Sequence, residues 1–366
     1  MKGPWPRRSS CGAWGSARRD AARLRPPPGP AWRRLFPPPA WSSTFSPSAS
    51  RPSTCLHRHP LTSRPTPLKL VLAFLAIYVI WGSTYLAIRY AVEGLPPFAM
   101  ASGRFLVAGG LMYVWARMAG RRAPAGPEWR VAWISGALML LGGNGAVVWA
   151  EQWVASGTAA LLVSSVPLWM VLIDWSRGGD RPGRRIQAGL LLGFIGVFLL
   201  FGSPEMREQQ QLLGGVVLLG GSFCWAAGSL HTRRWSSNLD PYMAAAIQMI
   251  AGGVCLGGAS LLAREQVGPE LLHAPVLAWA SLAYLIFMGA IVGYSAYLWL
   301  LRVSTPARVS TYAYVNPVVA VILGALFADE IITTGGLLAA AVIVGAVALI
   351  LTGSSRPGPR SVGADA

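Results

Sequence analysis

The chain has 366 residues, of which 53% are hydrophobic and 12% are charged, roughly half the charged share of an ordinary soluble domain. Its formal net charge of +17 is typical of proteins that bind nucleic acid, but the charge is unevenly placed. Residues 1–68 hold 12 of the 31 Lys and Arg residues and one of the 14 acidic residues. The remainder is apolar and weakly basic, which predicts a membrane protein with no nucleic-acid partner.

Residues 1–68 also hold 14 of the 28 prolines, with serine-rich stretches between them. Such a segment buries too little apolar surface to offset its conformational entropy, so we predict a disordered extension. No apolar run precedes Leu68, which argues against a secretory signal peptide. Three origins stay open: upstream sequence translated from a misassigned start, a basic cytoplasmic tail, and an organelle transit peptide.

Ten apolar runs of about twenty residues follow, each long enough to cross a hydrocarbon layer of about 30 Å as a helix. Backbone groups cannot stay unpaired in lipid, and the runs do not alternate as barrel strands would, so the predicted fold class is all-α with ten transmembrane helices. The predicted spans are 70–91, 97–116, 130–149, 155–175, 186–202, 212–232, 242–262, 276–300, 306–327 and 332–352.

The arginines between the spans predict the orientation, because short loops rich in Lys and Arg stay cytoplasmic. Alternate connections carry two to four arginines each, whereas the others contain only Arg207 and Arg264 and collect most of the acidic residues. We therefore expect a multi-pass inner-membrane protein with cytoplasmic N- and C-termini, the latter formed by a tail at 354–366.

An internal duplication is the next feature. A shift of 144 residues aligns Trp81, Arg89 and Pro97 with Trp225, Arg233 and Pro241, and a shift of 150 aligns Trp149 and Pro167 with Trp299 and Pro317. Each copy has five spans, an odd number, so the second copy must enter the membrane in the opposite orientation. Inverted repeats of this kind, here 69–203 and 212–353, are a common transporter plan.

Polar residues within the spans predict the site, because an ionisable group in lipid normally faces a cavity or a partner. Helical stripes occur in three spans, and Arg104 lies deep in a fourth. The alternative is that Arg89 pairs with Glu93, that Arg104 extends outward, and that the aromatic residues only pack. Our predicted substrate-binding residues, with Arg104 facing an anionic or carboxylate-bearing group, are Trp81, Tyr85, Arg104, Asn144, Tyr312 and Asn316.

Two prolines near the middle of their spans, Pro167 and Pro317, predict a helix kink or gate, although kinks that serve only packing are equally common. Small-residue spacing predicts close helix contacts at Gly189, Gly193, Gly196, Gly253 and Gly257.

Enzyme and metal readings find little support. Ser222 and His231 are nine residues apart on one span, about 13 Å of helical rise, which is too far for a nucleophile and its base. The sequence contains neither a HExxH zinc motif nor a Cys or His spacing for metal, and two of its four cysteines, Cys11 and Cys55, fall in the extension. We predict no enzyme activity, no metal and no cofactor.

Several motifs resemble the EamA family of the drug/metabolite transporter superfamily, in particular its YedA-like exporters. The resemblance covers residues 69–353. The motifs occur in order at 80–85 (Ile-Trp-Gly-Ser-Thr-Tyr), 103–106 (Gly-Arg-Phe-Leu), 142–145 (Gly-Gly-Asn-Gly), 156–160 (Ser-Gly-Thr-Ala-Ala) with 166–167 (Val-Pro), 222–225 (Ser-Phe-Cys-Trp) and 311–318 (Thr-Tyr-Ala-Tyr-Val-Asn-Pro-Val).

The resemblance implies a ten-helix inner-membrane carrier of two five-helix EamA repeats that exports small metabolites, amino acids or drugs through a cavity lined by helices 1, 3, 4, 6, 8 and 9. The family's Gly-Glu before the last helix reads Asp329-Glu330 here, and residues 1–68 have no family counterpart. We expect secondary active export by alternating access, with Glu151 as the candidate for proton coupling. A passive channel for small solutes is the alternative, and a homodimer is left open.

Overall fold

The computed structural model describes residues 66–178, 181–235, 239–304, 306–309, 311–331 and 333–353. Nearly all of the predicted disordered extension, its two cysteines and the tail at 354–366 lie outside these residues. Within the described residues the fold is all-helical, without a strand.

Ten apolar helices form the described fold, and each predicted span falls on one of them. Eight are long and apolar enough to cross a membrane: α1 (Pro67–Val92), α2 (Pro97–Met118), α3 (Gly126–Ala150), α4 (Ser156–Ser176), α5 (Arg184–Phe201), α6 (Gln209–Arg234), α7 (Pro241–Leu262) and α8 (Val276–Val303). The remaining two, α9 (Tyr312–Phe327) and α10 (Thr334–Gly353), are shorter apolar helices.

The fourth span differs from the uniform helix that we expected. It stops at Val163 and restarts at Val166, because the Ser164 hydroxyl donates to the Leu161 carbonyl at 2.8 Å or closer and the next N–H, of Ser165, binds only three residues back. Pro167 therefore lies in the first turn of the restarted helix, where a missing N–H breaks no helical bond. The bend here is a helix break, and no continuous helix is kinked.

The ninth span is also divided. A short helix at Pro306–Val309 precedes α9, and between them the Thr311 amide and hydroxyl both donate to the Arg308 carbonyl, at 3.2 Å and 2.6 Å. This closes a three-residue turn in place of the helical ladder. Pro317 lies inside α9, where it removes a helical donor as the sequence predicted.

Helices of the two halves pack antiparallel through glycines. A Cβ at Gly189 of α5 would lie 2.9 Å from the Ala346 carbonyl of α10, and one at Gly196, two turns later, would lie 3.1 Å from the earlier Ile343 nitrogen. In α2 and α7, a Cβ at Gly253 would lie 3.0 Å from the Leu106 nitrogen. The predicted close contacts at these glycines are confirmed.

Some contacts between the halves are reciprocal. A Cβ at Gly143 of α3 would lie 2.9 Å from the Trp225 ring of α6, and a Cβ at Gly293 of α8 would lie 2.8 Å from the Trp81 ring of α1. The shifts of 144 and 150 residues relate these two pairs to each other. Each tryptophan therefore lies on a glycine of the other half.

Three helices contain π-helical segments that the sequence pattern did not predict: Ala76–Ile80 in α1, Ala137–Asn144 in α3 and Leu285–Tyr294 in α8. The segments in α3 and α8 start at positions related by the shift of 148, close to that of the repeat. A π segment widens the helix and weakens its carbonyl bonding, and such segments are frequent at functional sites.

Candidate functional site

All six predicted substrate-binding residues line one cavity in the middle of the helices: Trp81, Tyr85, Arg104, Asn144, Tyr312 and Asn316. Its walls come from α1, α2, α3, α6, α8 and α9, with one residue of α4. The cavity volume is about 70 Å³, enough for a few water molecules and well below the roughly 300 Å³ of small pockets that hold drug-sized ligands. In this conformation the site is contracted.

Arg104 is the buried charge of the cavity. Its side chain is 3% exposed and does not extend outward, which removes the alternative that it reaches the membrane surface. Its Nε donates to the Leu285 carbonyl at 3.1 Å, and its guanidinium lies 4.7 Å from the centroid of the Phe105 ring. Its Nη1 has no hydrogen-bond partner, and no carboxylate lies within ion-pair distance of it in the described part of the chain.

Aromatic rings form one wall. The Trp81 ring packs against Trp225, Tyr297 and Tyr312, with centroids 5.6 Å, 5.0 Å and 5.4 Å away. Trp81 follows directly after the π segment of α1, and its Nε1 donates at 3.1 Å to the Gly289 carbonyl in the π segment of α8. The weakly bonded carbonyls of these segments thus hold site side chains in place.

Two further polar atoms face the cavity without a partner among the described residues: the side-chain oxygen of Asn144 and the hydroxyl of Tyr294. Both residues end a π segment, in α3 and α8 respectively. Buried polar atoms are normally hydrogen-bonded, so unpaired atoms that converge on a cavity indicate a place for a polar ligand or ordered water.

Asn316 has a different environment. With its amide oriented so that the nitrogen faces α1, it donates to the carbonyls of Ile77 and Tyr78 at 3.0 Å and 3.1 Å and to Tyr312 of its own helix at 3.3 Å. These carbonyls belong to the π segment of α1. The nitrogen therefore holds that segment, and only the remaining side of the amide faces the cavity.

Glu151 lies outside the spans, in the connection between α3 and α4, yet it is fully buried. Neither carboxyl oxygen has a hydrogen-bond partner in the described structure. Burial raises the pKa of this carboxyl well above its ordinary value, Glu330 raises the pKa further, and Arg89 acts in the opposite direction. Arg89 donates to the Glu151 main-chain carbonyl at 2.9 Å and pairs with Glu93 at 3.7 Å, as the packing alternative anticipated.

Glu330 joins the two halves near Glu151. Its carboxylate accepts hydrogen bonds from the backbone amides of Ser156 and Gly157, at 2.7 Å and 3.1 Å, at the start of α4. The first N–H groups of a helix lack internal partners, so this carboxylate caps α4 from the connection before α10. The sequence departs from the family pattern at Asp329 but keeps the acid that does this.

Sequence reasoning did not include three residues of the cavity among the site residues: Thr84, Trp225 and Tyr294. Trp225 could have been added, because the shift of 144 residues aligns it with Trp81. Tyr294 and Thr84 gave no such signal, since their place in the cavity depends on the π segments of α8 and α1.

Long apolar helices around a small polar cavity define the class as a polytopic helical membrane protein. A family model described as the EamA-like transporter family matches residues 68–202 and 212–352. The chain belongs to this family of membrane transporters.

Individual relatives agree. The chain is 38% identical to "Uncharacterized inner membrane transporter YedA" of Escherichia coli K12 over 78% of this chain and 92% of that protein. It is 23% identical to "Uncharacterized transporter YvbV" of Bacillus subtilis (81% and 96%) and 25% identical to a "Probable amino-acid metabolite efflux pump" of Escherichia coli K12 (72% and 88%). A crystal structure at 20% identity covers 79% of this chain and 99% of its own, with a TM-score of 0.58, which shows a shared fold.

Proposed function

We propose that this protein is a secondary active exporter that carries a small carboxylate-bearing molecule across the inner membrane by alternating access. The observation that carries the proposal is the buried guanidinium of Arg104 without an acidic partner. An unpaired buried charge is costly, and a carboxylate of the cargo would supply the missing partner. The names of two relatives, an inner membrane transporter and an amino-acid metabolite efflux pump, support the location and the cargo class.

Two inverted five-helix repeats would provide the alternating states. The antiparallel packing of α2 on α7 and of α5 on α10, together with the reciprocal tryptophan and glycine contacts, supports this arrangement. Repeats of opposite orientation can exchange their conformations and so expose one central site to either side. Trp81, Tyr85, Tyr312, Asn144 and Asn316 would then enclose the cargo around Arg104.

Glu151 is the proposed proton carrier. Its buried and unpaired carboxyl favours the neutral form, so a proton taken from outside could be exchanged for cargo when the site opens. The breaks and bends at Pro167 and Pro317 are the proposed hinges. In proteoliposomes, a pH gradient should accelerate transport by the wild type and have no effect on Glu151→Gln.

The Arg104 site can be tested once cargo is identified by comparing metabolites released from cells with and without the gene. Into inside-out vesicles, Arg104→Gln should lower cargo uptake at least about tenfold, because the loss of one buried charge-assisted contact is worth more than 1.4 kcal/mol. The control is Arg117→Gln, an exposed arginine on the same helix. Wild-type uptake by Arg104→Gln at equal protein levels would reject the site.

A passive channel is the remaining alternative from the sequence. The contracted cavity favours a carrier, since its walls must move before cargo can enter. A carrier saturates and shows counterflow, in which unlabelled cargo inside the vesicle drives transient accumulation of labelled cargo. Flux that rises linearly with concentration and shows no counterflow would assign a channel.

A further inference from the structure

A second cavity lies between the start of α3, the end of α6, the start of α7 and the end of α8. Its volume is about 360 Å³, several times that of the central cavity. An adjoining cavity of about 350 Å³ shares Thr232, Ala244 and Arg302 with it. Here it is called the α3–α7 vestibule, after the two helices that supply most of its wall.

The floor of the vestibule is polar and built into the helix packing. Gln248 is 3% exposed, and its side-chain nitrogen lies 3.4 Å from the Thr232 hydroxyl and 3.4 Å from the Met139 sulfur. The Thr232 hydroxyl donates to the buried Ser135 hydroxyl at 2.9 Å. An amide and two hydroxyls at the bottom of a cavity offer hydrogen bonds to an uncharged polar group.

The mouth of the vestibule is basic. Arg130 and Arg302 line it, and Arg233 lines the adjoining cavity. Arg302 is held by a 2.7 Å bond from its Nη1 to the Leu239 carbonyl. The one acidic residue of the lining, Glu128, accepts hydrogen bonds from Arg122 and from the Ala125 amide, so its charge is balanced there. The mouth therefore attracts anions.

The vestibule is the counterpart of the Arg104 side of the central cavity. The shift of 144 residues aligns Arg104 with Gln248 and Ile88 with Thr232, and the shift of 150 aligns Gly289 with Met139. One layer of side chains separates the two cavities: Ser229 bonds the Tyr297 hydroxyl at 2.9 Å, and the Tyr297 ring packs on Trp81. In the second copy, an amide replaces the guanidinium.

We propose that the α3–α7 vestibule is a second binding site, at which a small carboxylate-bearing molecule is held before it reaches Arg104. Its carboxylate meets Arg130 and Arg302 at the mouth, and its uncharged polar end meets Gln248 and Thr232 at the floor. The identity of this molecule as cargo rests on the proposed function. The preference for a soluble anion does not, and it can be measured without transport.

Thiol labelling tests this site. In a background with alanine at the four cysteines, Thr232→Cys is purified and treated with a negatively charged sulfonate methanethiosulfonate or a positively charged trimethylammonium one. Val267→Cys, in the exposed connection after α7, gives the intrinsic rate ratio of the two reagents. Relative to that ratio, the thiol at 232 should favour the sulfonate at least about fivefold. Arg130→Gln together with Arg302→Gln should abolish the preference.

Equal relative rates at 232, or a preference unchanged by the arginine variants, would overturn the proposal. Ser135→Cys repeats the measurement from α3, so that poor folding of one variant cannot decide the result. Nanodiscs separate a soluble anion from a lipid headgroup: equal rates in phosphatidylcholine and phosphatidylglycerol are expected. Slowing by phosphatidylglycerol alone, after correction by Val267→Cys, would assign the site to lipid and reject the proposal. Transport failure with intact labelling would reject only the exporter.

Discussion

Asn316 illustrates, at the scale of one residue, the difference between lining a cavity and binding its contents. Its position on a polar stripe placed it among the predicted ligands. In the structure its nitrogen donates to the carbonyls of Ile77 and Tyr78, so much of its hydrogen-bonding capacity is used within the protein. Arg104 is the opposite case, because part of its guanidinium remains unpaired. Periodicity identifies a shared face but not which donors on that face are already satisfied.

Glu151 leads to a prediction about stability and pH. Its folded-state pKa is raised above the ordinary value of 4.5, so the carboxyl contributes stability that is fully present below that value. This contribution is lost as pH rises through the raised pKa. Glu151→Gln stays neutral, and its melting temperature should therefore fall less between pH 5 and pH 8 than that of the wild type.

The measurement is thermal unfolding of purified protein in detergent at both pH values. Glu93→Gln, an exposed carboxylate beside Arg89, serves as the control and should keep the wild-type pH dependence. Identical pH dependence of the wild type and Glu151→Gln would show that the buried carboxyl does not titrate in this range.

At the scale of single helices, the sequence predicted the number and place of the elements better than their internal geometry. Length and hydropathy fix where a helix can cross lipid, so each span fell on a helix. The π segments in α1, α3 and α8 left no hydrophobic signature, because they follow from packing between helices. The break at Ser164 likewise depends on a hydroxyl that bonds a backbone carbonyl.

Adjacent glycines on α2 give a matched test of helix packing. A Cβ at Gly109 would lie 2.9 Å from the Ala246 carbonyl of α7, whereas a Cβ at Gly110 would meet no atom within 4 Å. Gly109→Ala should therefore destabilise the protein by about 1–3 kcal/mol through overpacking. Gly110→Ala has the same change in helix propensity and should not destabilise. Denaturant or thermal unfolding compares the two, and equal stability would contradict the tight contact.

For the whole molecule, the sequence anticipated the central cavity because three stripes and one deep arginine had to face something other than lipid. All six residues meet there, in a site whose binding role is still a proposal. The contracted volume and the α3–α7 vestibule were not predictable, since both depend on how ten helices tilt and pack. A repeat visible in the sequence did, however, indicate which contacts would recur.

The proposed topology can be measured on the full chain. Ten crossings and the arginine distribution place both termini in the cytoplasm. A fluorescent protein fused to the C-terminus should therefore fluoresce, and alkaline phosphatase fused there should be inactive. Val267→Cys should react with a membrane-impermeant reagent from outside the cell. An active phosphatase fusion would reject the orientation and, with it, the even number of crossings if the N-terminus is shown to be cytoplasmic.

The mirrored indole contacts restrict how this protein can change. Trp81 lies on Gly293 and Trp225 on Gly143, so a bulkier residue beneath either ring would displace it. The two substitutions would load opposite ends of the same machine. We expect Gly143→Ala and Gly293→Ala to bias its resting posture in contrary senses, and the double replacement to restore the balance while leaving both indoles strained.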